Sequence, residues 1–278
     1  MYNKRSPFLT IMLTLGMIFF YVPIILLIIY SFNYSRIVPV WAGWSTRWYE
    51  VLFRSEEVWD AVTLSLQIGI LNATFATALG TLAGIAMVRF GRFPGRTLFG
   101  GMLVAPLVMP EVITGLSLLV LFITLKQLIG WPESRGFTTI TIAHITFSLA
   151  YVAVIIQARL TGMGQTLEEA ALDLGAKPFR VLTDITLPRL APGMAAGWLL
   201  AFTLSLDDLV ISSFVTGPGA NTLPILIFSR IRTGIRPDVN ALATIIILFV
   251  AVCVAIAAII MFRQQKKAMQ DEQMANQA

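Results

Sequence analysis

Six runs of mostly apolar residues, at roughly 8–32, 61–88, 98–125, 138–157, 190–216 and 239–262, take up most of the chain. About 20 such residues carry a helix across a lipid core, where each backbone amide and carbonyl must find its partner inside the segment. Six runs of that length predict an all-α integral membrane protein with six transmembrane helices. Composition agrees: 57% of the residues are hydrophobic and 13% charged, against about 25% charged in a soluble domain. The first run follows Lys4 and Arg5. It exceeds the roughly 7–15 residues of a signal-peptide core, and no small-residue cleavage site follows, so it reads as a retained anchor.

The net charge of +5 reads as lysine and arginine holding loops against anionic lipid, with no nucleic-acid partner. Residues 1–7, 89–96, 159–189 and 263–278 carry twelve of the 20 lysines and arginines, and the alternate loops 33–60, 126–137 and 217–238 carry eight. The stretch from Arg230 to Arg236 is expected to be partly buried, which widens the bias. The densest basic turn runs Arg89-Phe-Gly-Arg-Phe-Pro-Gly-Arg96. Both termini and the 159–189 loop are therefore expected on the cytoplasmic side. The single cysteine, Cys253, excludes an intrachain disulfide and is expected to pack as a small hydrophobe. No metal site and no catalytic residue is expected. The one histidine, His144, lies near Thr146 and Ser148 in the fourth run and is expected to bond between helices. Ala76, Gly80, Ala83 and Gly84 mark close helix packing.

The 159–189 loop is patterned as a folded element. Thr166-Leu-Glu-Glu169 fits a capping box, and Leu167, Ala170, Ala171 and Leu174 form an apolar stripe at helical spacing. Gly175 suits a left-handed stop and Pro178 a second helix start. Phe179, Leu182 and Ile185 continue the apolar side until Pro188, expected to close that helix. The pattern predicts a helix–turn–helix off the membrane, with Glu168, Glu169 and Asp173 left for a partner.

Ionisable residues inside spans cost about 2.5–3.5 kcal/mol each on insertion scales and are functional candidates. Three acids qualify: Glu111, Asp207 and Asp208. Glu111 ends Ala105-Pro-Leu-Val-Met-Pro-Glu111, whose two prolines predict a helix bent or broken around the acid. Asp207 and Asp208 are about 100° apart on a helix, so at most one points down a pathway. Acids without a lysine or arginine partner suit a cationic solute; the alternative is pairing with another subunit or with freed backbone. Trp41, Trp44 and Trp48 recur at helical spacing just after the first run. They read either as an interfacial anchor or, for Trp44 and Trp48, as a vestibule face offering cation–π contacts to an amine.

Glu169-Ala170-Ala171, three residues, Gly175, nine residues, then Ile185-Thr-Leu-Pro188 resembles the EAA loop of ABC-importer permeases. That resemblance implies a type I importer permease fold whose cytoplasmic coupling helices seat on an ATPase. It implies ATPase contacts from Glu168, Glu169, Ala170, Ala171, Asp173, Gly175 and Ala176. Domains are then expected at 1–60 (anchor helix and periplasmic segment), 61–262 (permease domain) and 263–278 (cytoplasmic tail). The chain has no Gly-x-x-x-x-Gly-Lys-Ser/Thr phosphate loop, so it is expected to be a transport subunit rather than an enzyme. No cofactor is expected in it, with ATP and magnesium bound by the partner.

Trp41–Tyr49, 105–117, 197–210, 214–220 and 240–244 look like polyamine-importer permeases, nearest the second permease subunit of putrescine systems. The partners implied are a related second permease, two copies of a cytoplasmic ATPase, a periplasmic polyamine-binding protein and membrane lipid, all at a bacterial inner membrane. Besides a membrane scaffold or assembly factor with no transport of its own, two other readings stay open at this point. One is a proton-coupled secondary transporter of organic cations; the other is an ABC permease for another solute such as spermidine.

Overall fold

The computed structural model describes residues 7–37, 40–234 and 237–252. The chain divides into two compact units, one of residues 57–228 and one of the segments on either side. Cys253, Arg236 and the expected 263–278 tail lie outside the described residues.

In the flanking unit, α1 (Pro7–Ser31) is a 25-residue apolar helix that, among the described residues, buries only its last. Such a surface suits lipid or another subunit. The short helix α2 (Arg47–Phe53) follows an extended stretch in which Asn33 bridges Trp44. Asn33 organises that stretch: its side chain donates to the Val40 carbonyl at 2.7 Å and accepts from the Ala42 amide at 2.9 Å.

The larger unit holds the spans around a close seam. Helix α3 (Glu56–Arg89) has 34 residues, about 50 Å at 1.5 Å per residue, so its ends project beyond a lipid core of about 30 Å. It lies against α6 (Phe137–Met163), where a Cβ on Gly80 would stand 2.8 Å from Val152 Cβ and one on Gly84 2.7 Å from Ile156 Cγ2. The next helix in the seam is α9 (Leu187–Asp207), whose Gly197 would put a Cβ 3.1 Å from Val152. Asn72 of α3 ties all three together, donating to Ser148 Oγ of α6 at 3.1 Å and to the Ala201 carbonyl of α9 at 2.7 Å. Small residues let the backbones approach, and the buried amide fixes register. The close-packing reading of Gly80, Gly84, Ala76 and Ala83 holds.

Two runs are interrupted, one of them where its prolines predict a break. The third is α4 (Arg96–Val108) and α5 (Glu111–Ile129), separated by extended Met109 and Pro110. Pro106 stays inside α4, so Pro110 alone makes the break. The fifth is α9 followed by α10 (Val210–Val215), separated at Asp208 and Leu209. Helix α11 (Leu223–Thr233) spans the boundary between the units, and α12 (Pro237–Val252) begins the sixth run. Arg230 donates to Asp238 at 2.8 Å with both side chains buried, so Arg230 is not a free loop charge.

Candidate functional site

The 159–189 loop folds as a hairpin whose turn is explicit. Helix α7 (Thr166–Asp173) ends in a Schellman motif: the Gly175 amide donates to the Leu172 carbonyl at 2.9 Å and the Ala176 amide to the Ala171 carbonyl at 3.0 Å. Gly175 sits at φ +83°, where a side chain would be strained, and this is what the sequence placed it there to do. Pro178 then occupies the first turn of α8 (Pro178–Val181).

Three expectations for the loop need correction. First, Thr166 is not the cap. The helix begins one residue earlier than expected: Gln165 takes the capping position, its carbonyl accepting from the Glu169 amide at 3.0 Å, and no side chain caps the helix. Second, Pro188 does not close the second helix. A π turn, Leu182–Thr186, joins α8 to α9, and the Leu187 amide reaches five residues back to the Leu182 carbonyl. The widened turn relieves the clash of the Pro188 ring with the preceding turn, so the hairpin's second arm runs straight into a span of residues 178–207. Third, Glu168 is not left for a partner. It lies 2.9 Å from Arg89 Nε and accepts from Thr186 Oγ1 at 3.0 Å.

Glu169, Ala170 and Asp173 remain exposed, with Ala171 and Ala176 half-buried. Around them apolar side chains are left open among the described residues: Leu174 is 90% exposed and Phe179 73%. The tip is therefore apolar, flanked by acids and off the long apolar helices, and exposed apolar patches are where partners commonly bind.

The membrane acids fall into two kinds. Glu111 opens α5 directly after the break and is exposed. Its charge faces the positive end of the helix dipole. Asp207 ends α9 and is exposed. Asp208, with its side chain 9% exposed, turns inward and caps α10. Its Oδ2 accepts from the Ser212 amide and from Ser212 Oγ, both at 2.7 Å, and its Oδ1 from the Ile211 amide at 3.2 Å. His144 of α6 completes the shell, with Nε2 3.1 Å from Asp208 Oδ2 and Nδ1 2.7 Å from Ser205 Oγ. Nε2 also lies 2.9 Å from Ser212 Oγ. His144 thus makes the interhelical bond expected of it, but to an acid. Of the adjacent aspartates, Asp207 is the one left facing outward.

The two breaks belong together. Gly115 of α5 lies against Ile211 and Phe214 of α10, a Cβ there meeting Phe214 Cδ2 at 2.7 Å. Gly115 is four residues into α5 and Ile211 one residue into α10, so both openings lie near this contact. Interrupted helices exposing polar backbone are characteristic of transporter cavities.

The three tryptophans do not share a face. Trp41 and Trp44 are exposed and meet edge to face at 5.0 Å. Trp48 is 7% exposed and donates from Nε1 to the Asn33 carbonyl at 2.7 Å. The cation over its ring is Arg47, at 5.6 Å. The helical spacing misled because α2 starts only at Arg47. Trp48→Phe loses both the bond and part of the buried indole, so it is expected to lower stability by about 1–3 kcal/mol, read as a fall in the unfolding midpoint in detergent.

Sequence spacing missed Arg89, Thr186, Ser205 and Ser212. Local spacing gave no signal for any of the four; only Asp208, an acid just before a short apolar run, fits a capping role.

The architecture is that of a helical membrane chain with a short hairpin between two of its spans, and comparison with known proteins places it in a family. The family model described as "Binding-protein-dependent transport system inner membrane component" matches residues 76–270, and the chain belongs to that family of transport subunits. It is 55% identical over 271 residues, 98% of this chain and 96% of the relative, to the putrescine transport system permease protein PotI of Escherichia coli (strain K12). It is 43% identical over 236 residues, 85% of this chain and 87% of the relative, to the spermidine/putrescine transport system permease protein PotC of the same organism. The fold matches a chain of a bacterial ABC transporter that imports the acidic polysaccharide alginate, with TM-score 0.72 and 20% identity over 94% of this chain and 96% of that one. The all-α permease fold expected from the sequence is therefore the fold of this chain.

Proposed function

We propose that this chain is one permease of an ATP-driven importer that moves putrescine from periplasm to cytoplasm. The observation that carries the solute is the 55% identity over 98% of the chain to a putrescine permease; exposed Glu111 and Asp207 beside two helix breaks supply chemistry suited to an organic diammonium. Trp44, exposed near the end of α1, stays a candidate for the outer vestibule, whereas Asp208 and Trp48 act by holding the frame. The partners are a related second permease, two copies of a cytoplasmic ATPase that binds ATP and magnesium, and a periplasmic polyamine-binding protein. The exposed tip of the hairpin, with Glu169, Ala170, Ala171, Asp173, Gly175 and Ala176, seats on the ATPase. The burial of Arg230 against Asp238 removes a charge from the sparser set of loops and supports cytoplasmic termini and a cytoplasmic hairpin.

The assembly reconstituted in liposomes with ATPase and binding protein tests this reading. Putrescine is expected to stimulate ATP hydrolysis more than spermidine or uncharged solutes, and Glu169→Lys to abolish that stimulation while leaving the chain in the membrane. Equal stimulation by uncharged solutes would remove the amine reading. Uptake by this chain alone, driven by a pH gradient without ATP, would replace it with a proton-coupled carrier.

A further inference from the structure

Arg89, the last residue of α3, gathers the ends of several elements. Its Nε lies 2.9 Å from Glu168 Oε2, and its Nη2 donates to Glu168 Oε1 at 3.2 Å and to the Gly164 carbonyl at 2.9 Å. The same Oε1 accepts from Thr186 Oγ1 at 3.0 Å. Gly164 ends α6, Glu168 lies in the first turn of α7, and Thr186 closes the π turn that leads into α9. One guanidinium–carboxylate pair thus ties the ends of three spans to the hairpin. The two side chains are only 12% and 13% exposed, so water and salt screen the pair less than one at the surface. A planar guanidinium fixes direction as well as distance.

The hairpin needs such a tie. No residue of α7 is buried, so apolar packing holds it weakly. The chain enters and leaves it through Gly164 at φ +65° and Gly175 at φ +83°, two residues whose freedom makes them natural pivots. A push on an untied hairpin would be absorbed by rotation at those glycines.

We infer that Arg89, Glu168 and Thr186 form the joint that transmits hairpin movement into α3, α6 and α9. They are positioning residues for coupling, not contacts with the ATPase. This rests on the reading that the hairpin seats on an ATPase, and the test separates the two. The reconstituted complex would carry Arg89→Ala, Glu168→Gln, Thr186→Val or the double change Arg89→Ala with Glu168→Gln. Three quantities are read: ATPase recovered with the permease, ATP hydrolysed, and putrescine taken up per ATP.

The joint predicts normal recovery and continued hydrolysis, with uptake per ATP lowered about tenfold in Arg89→Ala and Glu168→Gln. The double variant is expected to be no worse than Arg89→Ala alone, because Arg89→Ala already removes the pair with Glu168. Thr186→Val, which deletes one hydrogen bond and keeps the side-chain volume, is expected to fall between these and the unaltered chain. Unchanged uptake per ATP in Glu168→Gln and Thr186→Val overturns the joint, even if Arg89→Ala fails to fold. Loss of ATPase from Glu168→Gln with Arg89→Ala intact also overturns it, by placing Glu168 on the partner. Absence of ATPase from the unaltered complex would instead remove the coupling reading beneath it.

Discussion

Asp208→Ala is expected to destabilise the folded chain by about 3 kcal/mol, whereas Asp207→Ala is expected to stay within about 0.5 kcal/mol. The two residues are adjacent and chemically identical, so the difference comes from direction alone. Asp208 accepts from two backbone amides of α10 and from Ser212 Oγ, and it meets His144 from α6. Losing a cap costs about 1 kcal/mol, and losing hydrogen bonds to a charged group about 1.5–3 kcal/mol. Asp207 has no comparable shell and is exposed. Asp208→Asn keeps an acceptor for the amides and is expected to fall between. Equilibrium unfolding in mixed detergent, followed by tryptophan fluorescence, ranks the variants. The uptake assay should give the opposite emphasis, with Asp207→Asn lowering putrescine transport at full stability. Equal loss of stability at the two positions would show that the inward turn of Asp208 does not hold the break together.

That contrast shows where sequence reading stops. The apolar runs, Gly175 as a left-handed stop, Pro178 as a helix start and the small-residue stripe on α3 were all legible, because each depends on residues within a few positions of one another. The break in the third span was legible too, since Pro110 acts on its own helix. Pairings across the chain were not. Nothing in local spacing joins Arg89 to Glu168 or His144 to Asp208, which meet only when helices far apart in the sequence pack. Glu168 therefore read as a free acid and Asp208 as a pathway acid equal to Asp207. Pro188 and Thr166 misled for a local reason. Each has a common role, helix stop and helix cap, that a small change of backbone pattern removes: a π turn before Pro188, and a start one residue earlier at Thr166. Trp48 misled because helical spacing was assumed across residues 41–46, which are extended or bridged.

Leucine at Gly80 and Gly84 together is expected to prevent recovery of a folded chain, and alanine at Gly84 alone to destabilise it by about 1–3 kcal/mol. Even a single Cβ at these sites falls inside the reach of the facing helix: 2.8 Å from Val152 Cβ at position 80, and 2.7 Å from Ile156 Cγ2 at position 84, with the Ala153 carbonyl at 3.2 Å. Val152, Ala153 and Ile156 are fully buried and β-branched at two of the three positions, so they have few rotamers into which to retreat. The remaining escape is for α3 and α6 to move apart, which would break the bonds from Asn72 to Ser148 and to α9. Gly16→Leu is the control, because nothing among the described residues lies within 4 Å of its added carbon. Monodisperse recovery in detergent and the unfolding midpoint read the outcome, and a Gly84→Ala midpoint equal to that of the control would deny the close seam. The seam matters beyond stability. A joint at Arg89 transmits movement only if α3, α6 and α9 answer as one body, so a variant that loosens the seam without unfolding it should also lower uptake per ATP.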